Sequence, residues 1–399
     1  MSAAFRFAPG FRSAGVACGL KQSGRRDLAL LVADGPCAAA GVFTTSLVKA
    51  APVLLDQAAL AENPGAIRAV VANAGCANAC TGDQGDHAAR EMARLAAEAA
   101  GCRPEEVLVL STGVIGVQLN LEKVAAGVAA AAPLLAADQA PIVAESIMTT
   151  DTKPKTASAS LEISGRQVTI AGVAKGAGMI HPMMATMLAV ITTDARIEPA
   201  LLREALLAAN AGSFNCVTVD GDPSTNDTVL VLASGASGAE IGPAELDAFT
   251  AALGTVCVDL AKQIAADGEG ATKLIEITVR GARAVEDARV IARAIGRSPL
   301  VKTAMHGGDP NWGRILAAAG VAGVPFEPRR LALWFGPDAD LQLVAGGTPL
   351  PFEERAAAAL LAGPQVFVTL DLGLGEASGA AWTCDFSAEY VSINADYRT

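Results

Sequence analysis

The sequence has few of the residues that build metal centres and nucleic-acid surfaces. Its 399 residues contain three histidines, His87, His181 and His306, which are far apart. Among eight cysteines only Cys76 and Cys80 are close, and no matching second pair follows, so the spacing of a zinc site is missing. The net charge is -11 and no basic run exceeds two residues, whereas binding a phosphate backbone requires concentrated positive charge. We predict no metal site and no nucleic-acid partner.

Long apolar segments are also missing. The longest, VAAGVAAAAPLLAA at 124–137, is rich in alanine, is interrupted by Pro133, and is shorter than the ~20 residues that cross a bilayer. The first residues, MSAAFRFAPGFRSAG, lack the continuous apolar core of a signal peptide. Scattered cysteines are typical of small apolar fillers in a reducing compartment. We expect a cytoplasmic protein without a membrane span.

Strand and helix patterns alternate along the chain, which favours an α/β or α+β sandwich of mixed sheets flanked by helices. A helix is predicted at 86–101, with Asp86 as N-cap and Gly101 as its stop. A hairpin is predicted at 158–176, turning at Ser164-Gly165. Strands are predicted at 27–35, 66–75, 105–116 and on either side of the polar loop 220–228. A patch rich in small residues near 320–328 divides the chain into a catalytic domain, 1–320, and a smaller C-terminal α/β domain, 321–399.

In the stretch KGAGMIHPMMATMLAVITTDA, residues 175–195, the hydroxyl residue Thr186 lies at the point where a loop of small residues becomes an apolar strand. An N-terminal threonine carries its own nucleophile and its own base, the α-amine with a pKa of ~7.7–8.0, and needs no histidine. Thr186 becomes N-terminal only if the chain cuts itself. Small neighbours, including Gly176, Gly178 and Ala185, leave room for an oxygen to approach the preceding carbonyl to ~3 Å.

An acyl-transfer reaction also needs hydrogen-bond donors for the oxyanion that forms. The sequence STG at 111–113 follows a predicted buried strand, which would hold it rigidly. Gly113 allows a backbone N–H to approach closely, and the Thr112 hydroxyl adds a second donor. Thr112 and Gly113 are therefore candidates for an oxyanion hole, and a plain turn at the end of the strand is the alternative. The family resemblance described next implies the oxyanion hole.

These motifs together resemble the ornithine acetyltransferase family, the bifunctional glutamate N-acetyltransferases of arginine biosynthesis. The likeness covers essentially the whole chain, with the blocks in the family order. Besides 175–195 the blocks are GVFTT (41–45), NACTG (78–82), STGVIG (111–116), TTDT (149–152), STNDT (224–228), DGEGATK (267–273), SPLVKTA (298–304), DPNWGRI (309–315) and INADYRT (393–399).

The resemblance implies a self-cleaving fold of the N-terminal-threonine-nucleophile type. Cleavage between Ala185 and Thr186 would give an α chain, 1–185, and a β chain, 186–399, and Thr186 would accept the acetyl group. The residues implied to hold the amino-acid substrate are Thr152, Lys175, Thr186, Glu269, Asn394 and Thr399. The chemistry of the side chains leaves open how Lys175 and Glu269 divide the substrate's α-carboxylate and distal ammonium between them.

The implied reaction moves acetyl from N2-acetyl-L-ornithine to L-glutamate, needs no metal or organic cofactor, and takes place in an α2β2 heterotetramer. Some members also use acetyl-CoA as a donor, and the sequence does not separate these two types. Two alternatives stay open. A related self-processed amidohydrolase or aminopeptidase would give the acyl group to water. The second alternative is a non-catalytic ligand-binding protein or a nucleotide binder using KGAGMIHP. Nucleotide binding is disfavoured, because the lysine precedes the glycines and no G-K-[ST] or G-x-G-x-x-G follows.

Overall fold

The structure, a computed structural model, describes residues 5–181 and 187–396. The predicted cleavage residues Ala185 and Thr186, and the predicted substrate residue Thr399, lie outside the described residues. The strands are β1 (Phe11–Val16), β2 (Leu28–Phe43), β3 (Ile67–Cys76), β4 (Val107–Val114), β5 (Lys155–Ile163), β6 (Arg166–Lys175), β7 (Leu188–Thr193), β8 (Arg196–Ile197), β9 (Thr228–Ala233), β10 (Glu240–Ile241), β11 (Leu274–Ala282), β12 (Ala332–Phe335), β13 (Leu341–Ala345), β14 (Thr348–Pro349), β15 (Gln365–Asp371) and β16 (Ala377–Cys384). The helices are α1 (Ala51–Glu62), α2 (Gly82–Ala100), α3 (Leu121–Ala131), α4 (Ala140–Ser146), α5 (Pro199–Ala211), α6 (Leu246–Ala266), α7 (Val285–Arg297), α8 (Pro299–Gly307), α9 (Trp312–Gly320), α10 (Glu354–Leu361) and α11 (Ala388–Asp396).

The larger sheet is mixed and runs in the order β4-β3-β2-β9-β7-β6-β5, with β1 paired to β2. The long strand β2 joins its two halves, because its first part pairs with β3 and its second part with β9. The pairs β3–β4 and β7–β9 are parallel, and the other pairs along this path are antiparallel. The predicted hairpin is confirmed as β5 and β6, with Ser164 and Gly165 at positive φ in the turn.

Strand β7 is buried along its whole length. Leu188 and Val190 enter one hydrophobic cluster, which also contains residues of α4. Ala189 and Ile191 enter the opposite cluster, which α5 and α6 cover. Burial on both faces explains why this segment is a nearly continuous apolar run instead of an alternating one. The fold holds the residues that follow Thr186 in the middle of the larger sheet.

A second sheet, in the order β14-β13-β12-β15-β11-β16, packs its own core against α7, α8 and α9. The mixed sheets flanked by helices agree with the predicted α/β sandwich. This second sheet and its core take in residues from Leu274 onward. They begin before the predicted domain boundary at 320, and the division of the chain into domains there stays a prediction.

Two local predictions were wrong. Helix α2 begins at Gly82 instead of near Asp86, because the Thr81 hydroxyl donates to the Asn78 side chain at 2.8 Å and the turn at 78–82 leads straight into the helix. Its predicted end is right, with Gly101 in the left-handed conformation. The segment before the polar loop 220–228 is a 3-10 turn, Phe214–Cys216, and a single bridge instead of a strand, because its backbone N–H groups bond to residues of different elements.

Within the described residues, α6 alone is long and apolar enough to cross a membrane by length and hydropathy. In the structure α6 packs against α5 and the strands β5 and β6. One side of it is buried in the core, including Phe249, Leu253, Val256 and Leu260. The length and hydropathy of α6 are therefore those of a core helix of this fold.

Candidate active site

A cavity of about 370 Å³ opens where several strand ends and loops meet. Its walls come from the end of β4, the end of β6, the polar loop 220–226, the turn after α6, and α11. The lining residues are Ala77, Thr112, Gly113, Ile115, Thr149, Thr150, Lys175, Gly178, Met179, Asp220, Asp222, Pro223, Ser224, Thr225, Asn226, Glu269, Tyr390 and Asn394. The structure thus brings together five predicted site residues that are far apart in the sequence: Thr112, Gly113, Lys175, Glu269 and Asn394.

Gly113 lies at the point where the backbone of β4 comes closest to the backbone of its neighbour β3. It pairs with Gly75 in the parallel ladder, and the register shifts at the next residue, Cys76. The φ of Gly113 is +132°, and a Cβ there would lie 2.4 Å from the carbonyl carbon of Gly75 and 2.6 Å from the nitrogen of Cys76. Both are backbone atoms that cannot move aside, so only glycine fits.

Thr112 and Lys175 meet across the strand ends. Thr112 is 3% exposed and Lys175 is 2% exposed. The Lys175 ammonium donates to the Thr112 hydroxyl at 3.3 Å and to the Thr149 hydroxyl at 2.8 Å. Because the Thr112 oxygen accepts this bond, its own proton is available to donate to an anionic oxygen in the cavity.

A buried charge network supports Lys175. Asp151 lies 3.8 Å from the Lys175 nitrogen and accepts from Lys155 at 2.7 Å and from the Gly176 N–H at 2.6 Å. Lys155 also bonds to Asp267 at 2.6 Å. Burial lowers the pKa of Lys175, and Asp151 opposes that shift. Burial alone would raise the pKa of Asp151, but Lys175 and Lys155 together lower it to about 2.

Glu269 and Asn394 form a second polar group in the lining of the same cavity. Glu269 is 7% exposed, and the Asn394 side chain donates to its Oε2 at 2.9 Å. A Cβ on Gly178 would lie 2.4 Å from the carboxyl carbon of Glu269. Glycine at 178 therefore makes room for this carboxylate, which the Glu269 N–H also fixes by a 2.9 Å bond to the Ala177 carbonyl.

Thr152 is not brought into the cavity. Its side chain is exposed, its hydroxyl donates to Asp267, and its N–H donates to the same carboxylate at 3.0 Å. Thr149 and Thr150 line the cavity instead. The turn at 149–152 points its first threonine toward Lys175 and its last toward Asp267, so Thr149 lines the cavity and Thr152 does not. The substrate role of Thr152 stays a prediction.

Several residues of the site were not singled out from the sequence. Asn226 donates to the carbonyls of Ala77, at 2.7 Å, and Ser111, at 2.8 Å, and so ties the loop after β3 to the segment that carries Thr112. Burial raises the pKa of Asp220, also on the wall, to about 6. Asp151, Asp267 and Asn226 belong to the conspicuous sequence blocks TTDT, DGEGATK and STNDT. Their contacts, however, depend on chain segments far away in sequence.

Thr186 is outside the described residues, but its covalent neighbour Met187 is described. Met187 is buried, its N–H donates to Asp227 at 3.0 Å, and its carbonyl accepts from the Thr228 N–H at 3.1 Å. The next residue, Leu188, pairs with Lys175 in the ladder of β6 and β7. The chain thus resumes after Thr186 beside Lys175, a wall residue of the cavity.

The arginine biosynthesis bifunctional protein ArgJ of Symbiobacterium thermophilum is 54% identical over 395 residues, which cover 98% of this chain and 97% of that protein. A crystal structure of arginine biosynthesis bifunctional protein ArgJ from Bacillus halodurans is 43% identical, covers 52% of this chain and 97% of that chain, and has a TM-score of 0.50. A structure of ornithine acetyltransferase complexed with ornithine from Mycobacterium tuberculosis is 40% identical, covers 46% of this chain and 96% of that chain, and has a TM-score of 0.40. The model of the ArgJ family matches residues 12–399. The resemblance inferred from the sequence blocks is confirmed, and the chain belongs to the ArgJ family.

Proposed function

We propose that this chain is a self-processing acetyltransferase that moves acetyl from N2-acetyl-L-ornithine to L-glutamate through an ester on Thr186. The observation that carries the proposal is the convergence on one cavity of Thr112, Gly113, Lys175 and Glu269, at the strand end where the chain resumes after Thr186. The arginine biosynthesis proteins that this chain resembles support the substrate class.

In the proposed processing step, the hydroxyl oxygen of Thr186 attacks the Ala185 carbonyl carbon. A C–O ester bond forms, the C–N bond breaks, and the hydroxyl proton ends on the Thr186 nitrogen. Water then hydrolyses the ester and leaves a free α-amine at Thr186. With a reference pKa of ~7.7–8.0, this amine is a suitable base for the same residue's hydroxyl.

In the proposed transfer, the Thr186 oxygen attacks the acetyl carbonyl of N2-acetyl-L-ornithine. The Thr112 hydroxyl and the Gly113 N–H would donate to the oxyanion, and ornithine would leave as the amine. L-glutamate would then attack the acetyl-threonine ester through its own amine. No metal or organic cofactor is needed, because the ester carries the acetyl group between the two substrates.

Two polar groups in the lining of the cavity suggest how an amino acid would be held. Lys175 lies beside Thr112, on the side of the predicted oxyanion hole. Glu269, held by Asn394, lines the same cavity, as do Asp220 and Asp222. We propose that the carboxylates receive the distal ammonium of ornithine, because a cavity with more carboxylates than ammonium groups attracts a cationic side chain.

We also propose that acetyl-CoA serves as a second acetyl donor. The support is the word bifunctional in the name of the curated relative from Symbiobacterium thermophilum. Incubation of the purified protein with acetyl-CoA and glutamate, without acetylornithine, should yield N-acetylglutamate. If glutamate stays unmodified while the exchange with acetylornithine proceeds, the protein only recycles acetyl groups.

The cleaved chains are proposed to assemble as an α2β2 heterotetramer in the cytoplasm. The solved chain from Bacillus halodurans matches about half of this chain over nearly its own whole length. This is expected if the solved polypeptide is one of the two products of a cleavage. Native mass spectrometry of the purified protein should give two copies of each fragment. An intact single-chain mass would contradict both the assembly and the processing step.

The transfer itself is tested by incubation with N2-acetyl-L-ornithine in the presence and absence of glutamate. Formation of N-acetylglutamate, together with an acetyl group on the peptide that begins with Thr186, would support the proposal. Release of free acetate at a rate independent of glutamate would identify a hydrolase instead. Thr186→Ala should abolish both cleavage and transfer.

A further inference from the structure

Helix α11 reaches the cavity without being buried in the fold. It contributes Tyr390 and Asn394 to the lining, yet none of its described residues, 388–396, is buried. The helices that cover the two sheets, such as α6 and α7, carry a buried face. An exposed helix gains little stability from apolar burial and opens at a low cost in free energy. The positions of Tyr390 and Asn394 therefore depend on the contacts that fix the start of α11.

The chain just before α11 is anchored by Asp385, whose side chain is fully buried. Its carboxylate accepts from the N–H and the hydroxyl of Thr272, at 2.8 and 2.6 Å. It also accepts from the N–H of Lys273, at 2.8 Å, and from Nδ1 of His306, at 2.7 Å. Burial would raise the pKa of Asp385, but the hydrogen bonds from Thr272 and His306 lower it below its usual range. Asp385 thus ties the start of α11 to α8 and to the chain before β11.

Two aromatic rings connect this anchor to the helix. Phe386 stacks on Tyr390, with ring centroids 4.7 Å apart and ring planes 21° apart. The ammonium of Lys302, a fully buried residue of α8, lies 4.4 Å from the centroid of the Phe386 ring. It also donates to the Thr383 hydroxyl at 2.7 Å and to the Cys384 carbonyl. Because a cation attracts the face of an aromatic ring and stacked rings bury apolar area, both contacts hold Phe386 and Tyr390 in place.

The turn that carries Glu269 packs against the same point. Ser387 donates to the Gly270 carbonyl at 2.6 Å. Gly270 has a φ of +69°, and a Cβ there would lie 2.5 Å from the backbone nitrogen of Tyr390. The start of α11 therefore fits against this turn with no room for a side chain between them. One helical turn later, Asn394 donates to the Glu269 carboxylate at 2.9 Å.

We propose that Phe386, Lys302 and Asp385 are positioning residues for substrate binding, because they dock the start of α11 and so set Asn394 against Glu269. In the described chain none of the three lines the cavity, so each acts through the helix. The inference rests on the proposed function, since it concerns how acetylornithine is held. With α11 undocked, substrate should bind more weakly, while the predicted oxyanion hole at 112–113 is left in place.

The test compares Phe386→Leu and Phe386→Tyr with wild type. Leucine removes the ring and keeps an apolar side chain. It should raise the KM for acetylornithine about tenfold and leave kcat within about twofold. Amides of 388–396 should exchange about tenfold faster in hydrogen–deuterium exchange followed by mass spectrometry. Tyrosine keeps the ring and should restore both values, which separates positioning from a loss of fold.

Trp334→Leu is the matched control. Trp334 in β12 is also an aromatic ring beneath a cation, with the Arg280 guanidinium 4.8 Å from its centroid. Its loss should leave both the KM and the exchange of α11 unchanged.

Two results would overturn the positioning roles and leave the proposed function standing. One is a Phe386→Leu variant that behaves like Trp334→Leu, and the other is faster exchange of α11 with an unchanged KM. A wild-type protein that transfers no acetyl from acetylornithine would instead overturn the proposed function. The exchange measurement would then still decide whether Phe386 docks α11.

Discussion

At the scale of single residues, the Thr112 hydroxyl accepts a hydrogen bond from a known donor and keeps its own proton free to donate. It accepts from Lys175 at 3.3 Å and faces the cavity beside Gly113. Gly113 cannot be replaced without a backbone clash against Gly75 and Cys76. Thr112 is therefore the residue at which the proposed oxyanion hole can be weakened while the backbone is left in place.

Thr112→Val removes the hydroxyl and keeps the shape of the side chain. If the hydroxyl donates to the oxyanion, kcat should fall by about 100-fold, or ~3 kcal/mol, with a smaller change in KM, because the bond is strongest in the transition state. Steady-state kinetics with acetylornithine and glutamate measure this split. Thr112→Ser, which keeps a hydroxyl, is the control. Equal kcat in the valine and serine variants would remove Thr112 from the oxyanion hole.

At the scale of elements, the loop after β6 makes room for a side chain that arrives with the turn after α6. Gly178 has no Cβ, and the carboxylate of Glu269 occupies the space where one would lie. The position of Glu269 thus depends on a residue far from it in the sequence, and α11 completes the wall through Asn394.

Gly178→Ala should displace Glu269 and raise the KM for acetylornithine by roughly tenfold, the effect of losing ~1.4 kcal/mol of substrate binding. Gly254→Ala in α6 is the matched control, because no atom lies within 4 Å of a Cβ added there. Alanine in that helix should leave the kinetics unchanged. An unchanged KM in Gly178→Ala would show that Glu269 does not bind this substrate.

Some of these elements could be predicted from the sequence, and others could not. The hairpin at Ser164-Gly165 and the helix stop at Gly101 were right because neighbouring residues determine both. The predicted strand at 216–219 was wrong because its backbone N–H groups bond to distant segments. The predicted start of α2 was wrong because the turn at 78–82, closed by the Thr81–Asn78 bond, leads straight into the helix. Five cavity residues were anticipated: Thr112 and Gly113 from the STG pattern as well as the family resemblance, and Lys175, Glu269 and Asn394 from the resemblance. Lys155 and Asp227 were not, since a buried ion pair or a tether to Met187 has no pattern in a single sequence.

At the scale of the whole molecule, a buried network of charges joins three separate parts of the chain. Lys155 bridges Asp151 and Asp267, and Asp151 also faces Lys175. The pKa of Asp151 is lower in the folded chain, about 2, than in the unfolded chain, ~3.9. Its charge therefore stabilises the fold above pH ~4, and that contribution is lost as the pH falls from ~4 toward ~2.

Asp151→Asn should lower the free energy of unfolding by about 3 kcal/mol at pH 7, because two buried lysines lose a charged partner. The difference from wild type should shrink below pH ~4, where wild type begins to lose the same charge. Urea unfolding of both proteins between pH 3 and 7 measures it. A difference that is constant across this range would mean that Asp151 contributes through packing and not through its charge.

The self-cleavage of the chain is the claim on which the proposed chemistry depends. It is tested most directly by mass spectrometry and N-terminal sequencing of the catalytically active protein. We predict two fragments, one of which begins Thr-Met-Leu-Ala-Val at Thr186. Active protein that consists only of the uncut 399-residue chain would contradict the account.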